Sequence, residues 1–581
     1  MKPSLALFLL LLLLATATAW GQRPRASRLE GRLPAGPGPL ATTLALSPAP
    51  PAPDKAKGPK EPPPASAPAQ TRRLELRLAE DESEVHVQPL AADSSVVVLV
   101  GQQAPGGSSR VDFYFQHYDA GLRRRREVPV AVPPEFHFVR LCAEARVVYA
   151  LFSSQDQPGR LWAVAYDATA GQVRTQAFET RLSREIVELR AVEGTLFATV
   201  VLADATHLTA LLLHVASGQF RFLPSIYEPL PTQLSFEANE RTGQAAYVLS
   251  QSNGRKARLQ LKQLSSSGQL LGAEVVQAES ERSLLTAQLS PLADSSARLL
   301  AGTYSLRELS YAQGLFATDL RAPAPTPPLP AGAAPTVLAR APLRFYDFLR
   351  LKHFFDFLKP QREQRLRQRA ARRQQQAQAP LRWRYRLLLH SMQRLPGGGY
   401  VLTAEIYYPH YRYSNSFGPG YGALGGLYGY GGYPGSYGYY GYGQNRVFDG
   451  YSTTQALVCG FASDGTLLWD NAYVVKDLRR YELMETIRQA ALPDGRLVLA
   501  YVNEDELHYK IVSQAEPSPN DLSVPLQTSA SGLGEKASDT SASDLQPWFG
   551  TTFVASGYQR VRPERGGEER QVFFLNKVTF K

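Results

Sequence analysis

The chain has 581 residues, of which 44% are hydrophobic and 20% are charged, and its formal net charge is +11. It contains only two cysteines, so a fold held together mainly by disulfides is excluded. Beyond the N-terminal segment no run of eighteen consecutive apolar residues occurs, and we therefore expect no membrane span.

The first residues have the pattern of an export signal. Lys2 precedes an apolar run from Leu5 to Leu14, and small residues from Ala15 to Ala19 follow it. This run is too short to anchor the chain in a bilayer and ends in an A-x-A cleavage pattern. We expect residues 1–19 to be a signal peptide and the mature protein to be exported, to the periplasm, the cell surface or the medium.

A proline-rich segment follows the signal. Residues 34–68 contain twelve prolines among Ala, Gly, Lys and Ser, a composition that favours extended chain and cannot bury a core. We interpret residues 20–71 as a disordered tether. Residues 72–581 are then the folded part, which is far longer than an average domain but within reach of a closed repeat array.

A paired-strand pattern returns about every fifty residues in this part. A glycine ends the turn after an apolar strand at Gly121, Gly171, Gly218 and Gly268, which are 50, 47 and 50 residues apart. Short apolar runs bounded by Gly, Asp, Ser and Pro predict strands. Eight neighbouring pairs are found: 95–100 with 111–118, 147–152 with 161–166, 196–202 with 208–215, 245–249 with 259–264, 298–303 with 315–320, 400–407 with 454–461, 497–502 with 507–512, and 551–556 with 571–580.

These hairpins are more continuously apolar than a sheet with one wet face requires, which indicates blades packed on both sides. We predict an all-β propeller of about eight four-stranded blades; seven blades with one irregular hairpin outside the ring is the alternative. Residues 74–78 alternate apolar and charged side chains and have no partner in the first unit. We expect this strand to pair with residues 571–580 and close the ring, which removes two open sheet edges.

The blades resemble those of the β-propeller superfamily over residues 72–581, and the chain is similar to uncharacterised exported bacterial propeller-like proteins. The segment Phe461 to Asp470 looks like the outer hairpin of a blade, with Asp464 and Gly465 in its turn. The Trp-Asp dipeptide occurs there once and does not recur in each blade, which departs from the WD-repeat pattern. The resemblance implies a fold and assigns no functional residue.

A basic insertion separates the fifth and sixth hairpins. Residues 343–378 predict two helices divided at Pro360: the first has Phe345, Phe348, Leu349, Phe355 and Leu358 on a face that should dock on the propeller. Residues 343–386 hold thirteen Lys and Arg against three acids, so this arm carries almost all of the net charge. The helix could bind an anionic partner, and a solvated surface helix is the simpler interpretation. The candidate binding residues are Arg362, Arg365, Arg369, Arg372 and Arg373.

A second insertion, residues 411–450, separates the strands of the sixth hairpin. Residues 417–443 contain twelve glycines and eight tyrosines, which predicts a flexible loop rich in rings that stack and donate hydrogen bonds. A disordered loop without a role is the simpler interpretation; an adhesive or sugar-stacking loop is the alternative. Its candidate binding residues are Tyr428, Tyr430, Tyr437 and Tyr440.

The sequence contains no local catalytic motif and none of the usual metal-ligand spacings, so we expect no cofactor and no metal. We expect Cys142 and Cys459 to be buried thiols, half a ring apart, with a disulfide or a reactive thiol as the alternatives. The favoured hypothesis is a non-enzymatic exported scaffold that binds a protein, glycan or envelope component through the face with both insertions; nucleic acid is a poor match. The alternative is an enzyme acting on a polysaccharide or peptide at the central channel, which requires carboxylates or histidines around the axis.

Overall fold

In the computed structural model, each of the eight predicted hairpins forms the two middle strands of its own antiparallel sheet. The protein is therefore an eight-bladed propeller, as predicted. The structure describes residues 67–78, 84–103, 110–180, 186–201, 208–223, 234–239, 242–278, 280–292, 298–320, 342–413, 446–520, 522–528, 535–563 and 569–581. Residues 63–581 form one compact unit. The predicted signal peptide and most of the tether lie outside the described residues.

The strands of the first half of the ring follow one another blade by blade. The chain enters with β1 (Ala69–Arg77). Blade one has β2 (Glu84–Leu90), β3 (Ser95–Gln103), β4 (Val111–Tyr118) and β5 (Arg124–Val130). Blade two has β6 (Phe136–Glu144), β7 (Val147–Ser154), β8 (Arg160–Asp167) and β9 (Gln172–Glu179). Blade three has β10 (Ile186–Val192), β11 (Thr195–Val201), β12 (Leu208–His214) and β13 (Gln219–Phe222). Blade four has β14 (Leu234–Asn239), β15 (Gln244–Ser252), β16 (Ala257–Ser265) and β17 (Leu270–Val276).

The second half carries the irregular blade. Blade five has β18 (Ser283–Leu289), β19 (Leu299–Ser305), β20 (Gly314–Asp319) and β21 (Arg344–Asp347). A 3-10 turn (Phe348–Arg350) and the helix α1 (Pro360–Gln375) follow. Blade six has β22 (Arg386–Leu389), β23 (Gln393–Arg394), β24 (Tyr400–Tyr413), β25 (Arg446–Phe461) and β26 (Leu467–Arg480). Blade seven has β27 (Arg488–Ala491), β28 (Leu497–Asn503), β29 (Glu506–Val512) and β30 (Leu522–Pro525). Blade eight has β31 (Glu535–Pro547), β32 (Thr552–Pro563), β33 (Arg570–Thr579) and β1.

The first strands of neighbouring blades contact one another. The first strand of each blade therefore lies innermost, beside the channel. The middle strands are buried almost continuously; in β3, for example, every residue from Ser95 to Gly101 is buried. Both faces of such a strand are covered by neighbouring blades, which explains why the hairpins lack apolar–polar alternation. The core is therefore a series of apolar layers between adjacent blades.

The ring closes as the sequence predicted. β1 pairs antiparallel with β33, with Leu74 opposite Leu575 and Leu76 opposite Phe573, and it supplies the outer strand of blade eight. The Arg73 side chain is buried: it donates to Glu75 (2.7 Å), to the Gln527 carbonyl and to Gln559. Glu75 also accepts from Arg570 at 2.6 Å, so one carboxylate joins both strands.

The helix prediction for the start of the basic insertion is wrong, because residues 344–347 form the outer strand of blade five and Phe345 pairs with Phe316. Phe348, Phe354 and Phe355 are buried in one cluster with strands of blades five and six. Their spacing imitates a helical face, but Phe348 enters the cleft between blades from a 3-10 turn, and Phe354 and Phe355 enter it from the turns that follow. The second predicted helix is confirmed as α1, with Pro360 at its first turn.

The repeated glycine has a specific cause. Gly171 and Gly218 end the turns before the outer strands with φ of +69° and +70°, a region that favours glycine. A Cβ on Gly218 would also lie 2.5 Å from the Gln176 amide of the preceding blade. At Gly171, Gly218 and Gly268 the fifty-residue period thus marks a turn that meets the blade before it, whereas in the first turn Leu122 and not Gly121 has the positive φ.

We expect Gly218→Ala to lower the free energy of unfolding by about 1–2 kcal/mol, because alanine is strained at this φ and its methyl group displaces Gln176. Urea denaturation of the purified protein measures the change. Gly272→Ala is the matched control, since Gly272 lies in β17 with its nearest neighbouring atom 3.6 Å from the added Cβ. Equal stability of the two variants would contradict the explanation of the period.

Ring closure should depend on pH through Glu75. Burial raises the pKa of this carboxyl, but hydrogen bonds and charge from Arg73 and Arg570 outweigh it and hold the pKa below its usual 4.5. A lowered folded-state pKa contributes stability above the unfolded-state value, and that contribution disappears as the pH falls through the folded-state value.

We therefore expect Glu75→Gln to cost about 3 kcal/mol at pH 7, with the difference from the original protein shrinking below about pH 4.5. The measurement is the free energy of unfolding across pH 3–8. Glu127→Gln, which removes an exposed pair with Arg124, is the control and should cost under about 1 kcal/mol. A difference that is constant with pH would refute this role of Glu75.

Candidate functional site

Three irregular features leave the ring on the same face. In an antiparallel blade, the hairpin between the second and third strands and the connection to the next blade emerge at the same end. The first feature is the connection from β21 of blade five to β22 of blade six, which carries α1. The second is the end of the hairpin formed by β24 and β25 in blade six. The third is the connection from β26 of blade six to β27 of blade seven. α1 is also the one α-helix among the described residues, and no helix there has the length and hydropathy that a membrane crossing needs.

A basic groove of about 330 Å³ lies between α1 and the segment that returns to blade six. Its helical wall consists of Arg362, Arg365, Leu366 and Arg369. Their spacing of three, four and seven residues places them on one side of a helix. The three arginines are exposed, so their guanidinium groups face solvent at the groove.

The second wall is formed by Leu381, Arg382 and Trp383. Blade five holds this wall in place: buried Gln313 accepts from the Trp383 backbone N–H at 3.0 Å and donates to the Trp383 carbonyl at 2.9 Å. The backbone N–H of Ala312 donates to the Tyr385 carbonyl at 2.9 Å. Four arginines and an indole therefore share one groove, and none of its described lining residues is acidic.

The remaining arginines of α1 have other surroundings. Arg367 donates to Glu363 and to the carbonyls of Leu349, Leu351 and Lys352, which fixes the helix on the propeller. Arg373 donates to the Ala379 carbonyl at the end of the helix.

Of the five arginines proposed from sequence, Arg362, Arg365 and Arg369 thus meet in the groove, whereas Arg372 and Arg373 do not line it. Sequence reasoning missed Arg382 and Trp383 as members of the site. The charge count included Arg382, but only the return of the chain beside α1 brings it opposite the helix.

The hairpin of β24 and β25 extends beyond the blade. The two strands stay paired out to Tyr413 and Arg446, which adds roughly 20 Å to an ordinary blade hairpin. Large apolar side chains are exposed along this extension at Tyr408, Tyr411, Val447 and Phe448. The four loop tyrosines proposed from sequence, Tyr428, Tyr430, Tyr437 and Tyr440, lie outside the described residues.

A segment that we call the strap, residues 481–487, reaches across the channel. It connects blade six to blade seven, yet Glu482 pairs with Arg140 of blade two, on the opposite side of the ring, at 3.5 Å. Glu485 in turn interacts electrostatically with Arg190 of blade three. The strap therefore joins opposite sides of the ring by charge.

The strap is anchored by a buried carboxylate. Glu405 Oε1 accepts from the backbone N–H groups of Thr486 and Ile487 at 2.7 and 2.8 Å and pairs with His390 at 2.9 Å. Burial alone would lower the pKa of His390, but Glu485 and Glu405 outweigh it and the pKa lies above its usual value. Glu405, paired with His390, thus holds the end of the strap.

We expect Glu405→Ala to release the strap, because two backbone donors and His390 lose their acceptor at once. Hydrogen exchange at the amides of Thr486 and Ile487 should accelerate by about tenfold or more. Glu482→Gln, which removes only the exposed pair with Arg140, is the control and should leave these amides protected. Unchanged exchange in Glu405→Ala would exclude this anchor.

Near the axis, carboxylates and arginines occur together. Arg190 forms an ion pair with Glu188 at 3.0 Å, and its side chain is still 54% exposed. Burial raises the pKa of Glu237 to about 7, a rise that a hydrogen bond from Ser391 and the charge of Arg190 limit. These residues were not found from sequence, because they lie on different blades and no local motif connects them.

Both cysteines are buried. Cys142 and Cys459 are buried thiols in blades two and six, as predicted, and burial raises the pKa of Cys142 to about 12. A thiol with such a pKa is not a nucleophile at neutral pH. Among the described residues, no group of three or more His, Cys, Asp or Glu side chains could hold a metal ion.

No protein-family model matches the sequence, and no curated protein is significantly similar to it. Among solved structures, a polysaccharide lyase is similar with 6% identity and a TM-score of 0.37, covering 88% of this chain and 99% of the lyase. Prolyl oligopeptidase B from Galerina marginata is similar with 8% identity and a TM-score of 0.34. The match covers 83% of this chain and 56% of that peptidase. The β-propeller domain of the Trilobed protease from Pyrococcus furiosus is similar with 7% identity and a TM-score of 0.28. The match covers 76% of this chain and 96% of that domain. The similarity is one of fold alone.

Proposed function

We propose that the protein is an exported, non-enzymatic propeller scaffold that binds an anionic macromolecule, such as an envelope component, through the basic groove. The observation that carries this proposal is the meeting of Arg362, Arg365, Arg369 and Arg382 in one groove that has no acidic lining residue among those described. Arginine presents a planar fork of donors that matches carboxylate, sulfate and phosphate groups.

The electrostatics of the groove support a bound anion. Arg365 lies three residues from Arg362 and four from Arg369, and like charges at these spacings destabilise a helix by a few tenths of a kcal/mol per pair. Glu363, an acid of this helix, is already paired with Arg367 at 2.7 Å. An anionic group in the groove would relieve the repulsion among the four cations, so binding should be favourable and strongly dependent on salt.

The channel enzyme is the second candidate, and Glu237 is the observation that favours it. A carboxyl with a pKa near 7 can act as a general acid or base. However, the nearby arginine Arg190 is paired with Glu188, and the strap with its two glutamates reaches across the channel. Four of the channel charges are thus paired with opposite charges, whereas no described lining residue of the groove is acidic, which is why we favour binding over catalysis.

We expect Arg365→Gln/Arg369→Gln to weaken binding to a soluble polyanion by about tenfold or more at 0.15 M salt, since two charge-assisted contacts are lost. Titration calorimetry with polygalacturonate and with inorganic polyphosphate measures the affinity. Arg372→Gln is the matched control, because it removes an exposed charge from the same helix outside the groove. Retained affinity in the double variant, or an equal loss in Arg372→Gln, would refute the groove as the binding site.

A further inference from the structure

We infer that a second binding surface lies on the blade-seven side of the blade-six hairpin and takes a basic peptide segment of a partner protein, rich in lysine and arginine. The surface consists of an aromatic face, formed by Tyr407, Tyr411, Phe448 and Tyr451, and an acidic turn, residues 504–506. It is separate from the basic groove, whose second wall is held by blade five, and it goes beyond the function proposed above.

Exposed large apolar side chains are concentrated at this end of blade six. Among the described residues eleven such side chains are exposed, and five of them are scattered over the outer strands of blades three, four and six. The other six belong to the hairpin extension or to the start of the strap: Tyr408, Tyr411, Val447, Phe448, Tyr481 and Met484. Such clustering is typical of an interaction site, whereas single exposed apolar residues are ordinary surface.

The aromatic face is turned toward blade seven. On β24, Thr403 donates to Gln489 of blade seven, and Glu405 accepts from the backbone N–H of Thr486 in the strap. Side chains two residues apart on a strand share one face. Tyr407, the next in this series, therefore lies on the blade-seven side as well.

Ring contacts continue this face outward along the hairpin. The ring centroids of Tyr407 and Tyr451 are 5.7 Å apart, those of Tyr451 and Phe448 are 5.0 Å apart, and those of Phe448 and Tyr411 are 5.9 Å apart. Successive rings are nearly perpendicular, with interplanar angles of 80°, 68° and 73°. The faces of such rings attract ammonium and guanidinium groups. Tyr411 is 40% exposed and Phe448 is 37% exposed, so a cation can reach this outer pair from solvent.

The acidic turn lies beside the inner end of the aromatic face. Arg480 is the ladder partner of Tyr451, and it donates to the Val502 carbonyl of blade seven at 3.3 Å. Val502 is close to the end of β28, immediately before the turn into β29. The turn consists of three exposed acids, Glu504, Asp505 and Glu506. The contact through Arg480 therefore places three carboxylates next to the rings.

The acids of the turn are available to a partner. Among the described residues, Glu504 and Asp505 form no ion pair, and Glu506 has only the His508 ring at 3.5 Å. The chain carries a net charge of +11, so a basic peptide has no general attraction to this protein and needs a local group of acids.

Two arginines adjoin this surface without reversing its charge. Arg479 lies 3.9 Å from Asp449, and Arg480 is set against the three acids of the turn. A neutral apolar ligand would use the rings and leave the carboxylates unused. A lysine or arginine side chain brings a cation for both the rings and the acids, and its aliphatic stem packs on apolar surface. Charge complementarity therefore favours a basic peptide.

The test measures peptide binding to the purified protein by fluorescence anisotropy. The probes are an octalysine peptide and a neutral glycine-serine octapeptide, and phosphatidylcholine vesicles test for a lipid surface as the occupant. Tyr411→Ala/Phe448→Ala removes the outer pair of rings. Glu504→Gln/Asp505→Asn removes two charges from the acidic turn.

Each variant has a matched control elsewhere on the ring. Phe220→Ala removes a ring that is 38% exposed on β13 of blade three. Asp156→Asn/Glu281→Gln removes two exposed acids, one from a hairpin turn of blade two and one from the connection to blade five. Arg365→Gln/Arg369→Gln alters the groove alone and separates the two surfaces.

We expect octalysine to bind about fivefold more weakly to Tyr411→Ala/Phe448→Ala and about tenfold more weakly to Glu504→Gln/Asp505→Asn at 0.05 M salt. The loss in the acidic-turn variant should shrink at 0.5 M salt, because the charges are screened. The matched controls and the groove variant should change the affinity by less than about twofold.

The inference requires rings and acids together, so an effect of only one of the two variants would overturn it. Failure of octalysine to bind the original protein, or an equal loss in the matched controls, would do the same. Binding of the neutral peptide or of the vesicles as tight as that of octalysine would assign the surface to another class of partner. None of these results bears on the anion-binding groove, whose own test is the binding of polyanions to Arg365→Gln/Arg369→Gln.

Discussion

The structure depends on the pairing of β1 with β33, because this ladder joins the start of the described ring to its end. Its centre is a buried arginine. The Arg73 side chain has no exposed surface, and its charge is met by Glu75, while its other donors reach the Gln527 carbonyl and Gln559. A buried charge without partners would be far more costly than an apolar residue. The closing strand is therefore held in one register by polar contacts as well as by the apolar layer around Leu74 and Leu76.

A closed ring gives the face that carries the basic groove a rigid support. The insertion between blades five and six is fixed at several points: Phe348 and Phe354 stack at 3.9 Å in the cleft, and Gln313 holds the backbone of Trp383. Arg367 fixes α1 on the turn before it. Because the backbone of both walls is fixed before any ligand arrives, binding would have to order only the arginine side chains. A basic arm that the sequence presents as a separate segment is, in the structure, part of the propeller surface.

The fold could be predicted from the sequence because its signals are local. Alternating or continuous apolar runs and turn glycines such as Gly218 identify strands, and the unpaired strand around Leu74 identifies the closure. The helix predicted over residues 343–359 was wrong because Phe345, Phe348 and Phe355 have helical spacing by coincidence, while tertiary burial between two blades decided their structure. Local periodicity cannot distinguish these cases, because it does not show which neighbouring blades cover the segment.

The site was only partly predictable for a related reason. The arginines of α1 are recognisable as a cluster in the sequence, but which of them meet is decided by the path of the chain back to Arg382 and Trp383. The channel contacts are beyond any local analysis, since Glu482 and Arg140 are 342 residues apart in the chain. Such pairs exist only because the ring brings opposite blades to a common axis.

The two polar regions of the protein, the channel and the basic groove, differ in their balance of positive and negative charges. In the channel, two pairs of opposite charges are found: Arg140 with Glu482, and Arg190 with Glu188. The first pair connects the strap to blade two, and the second lies within β10. In the groove, four guanidinium groups face one space, and the helical carboxylate that could neutralise them, Glu363, is turned toward Arg367. At a Debye length of about 8 Å their fields overlap. The proposed anion would complete this arrangement by supplying the missing negative charge.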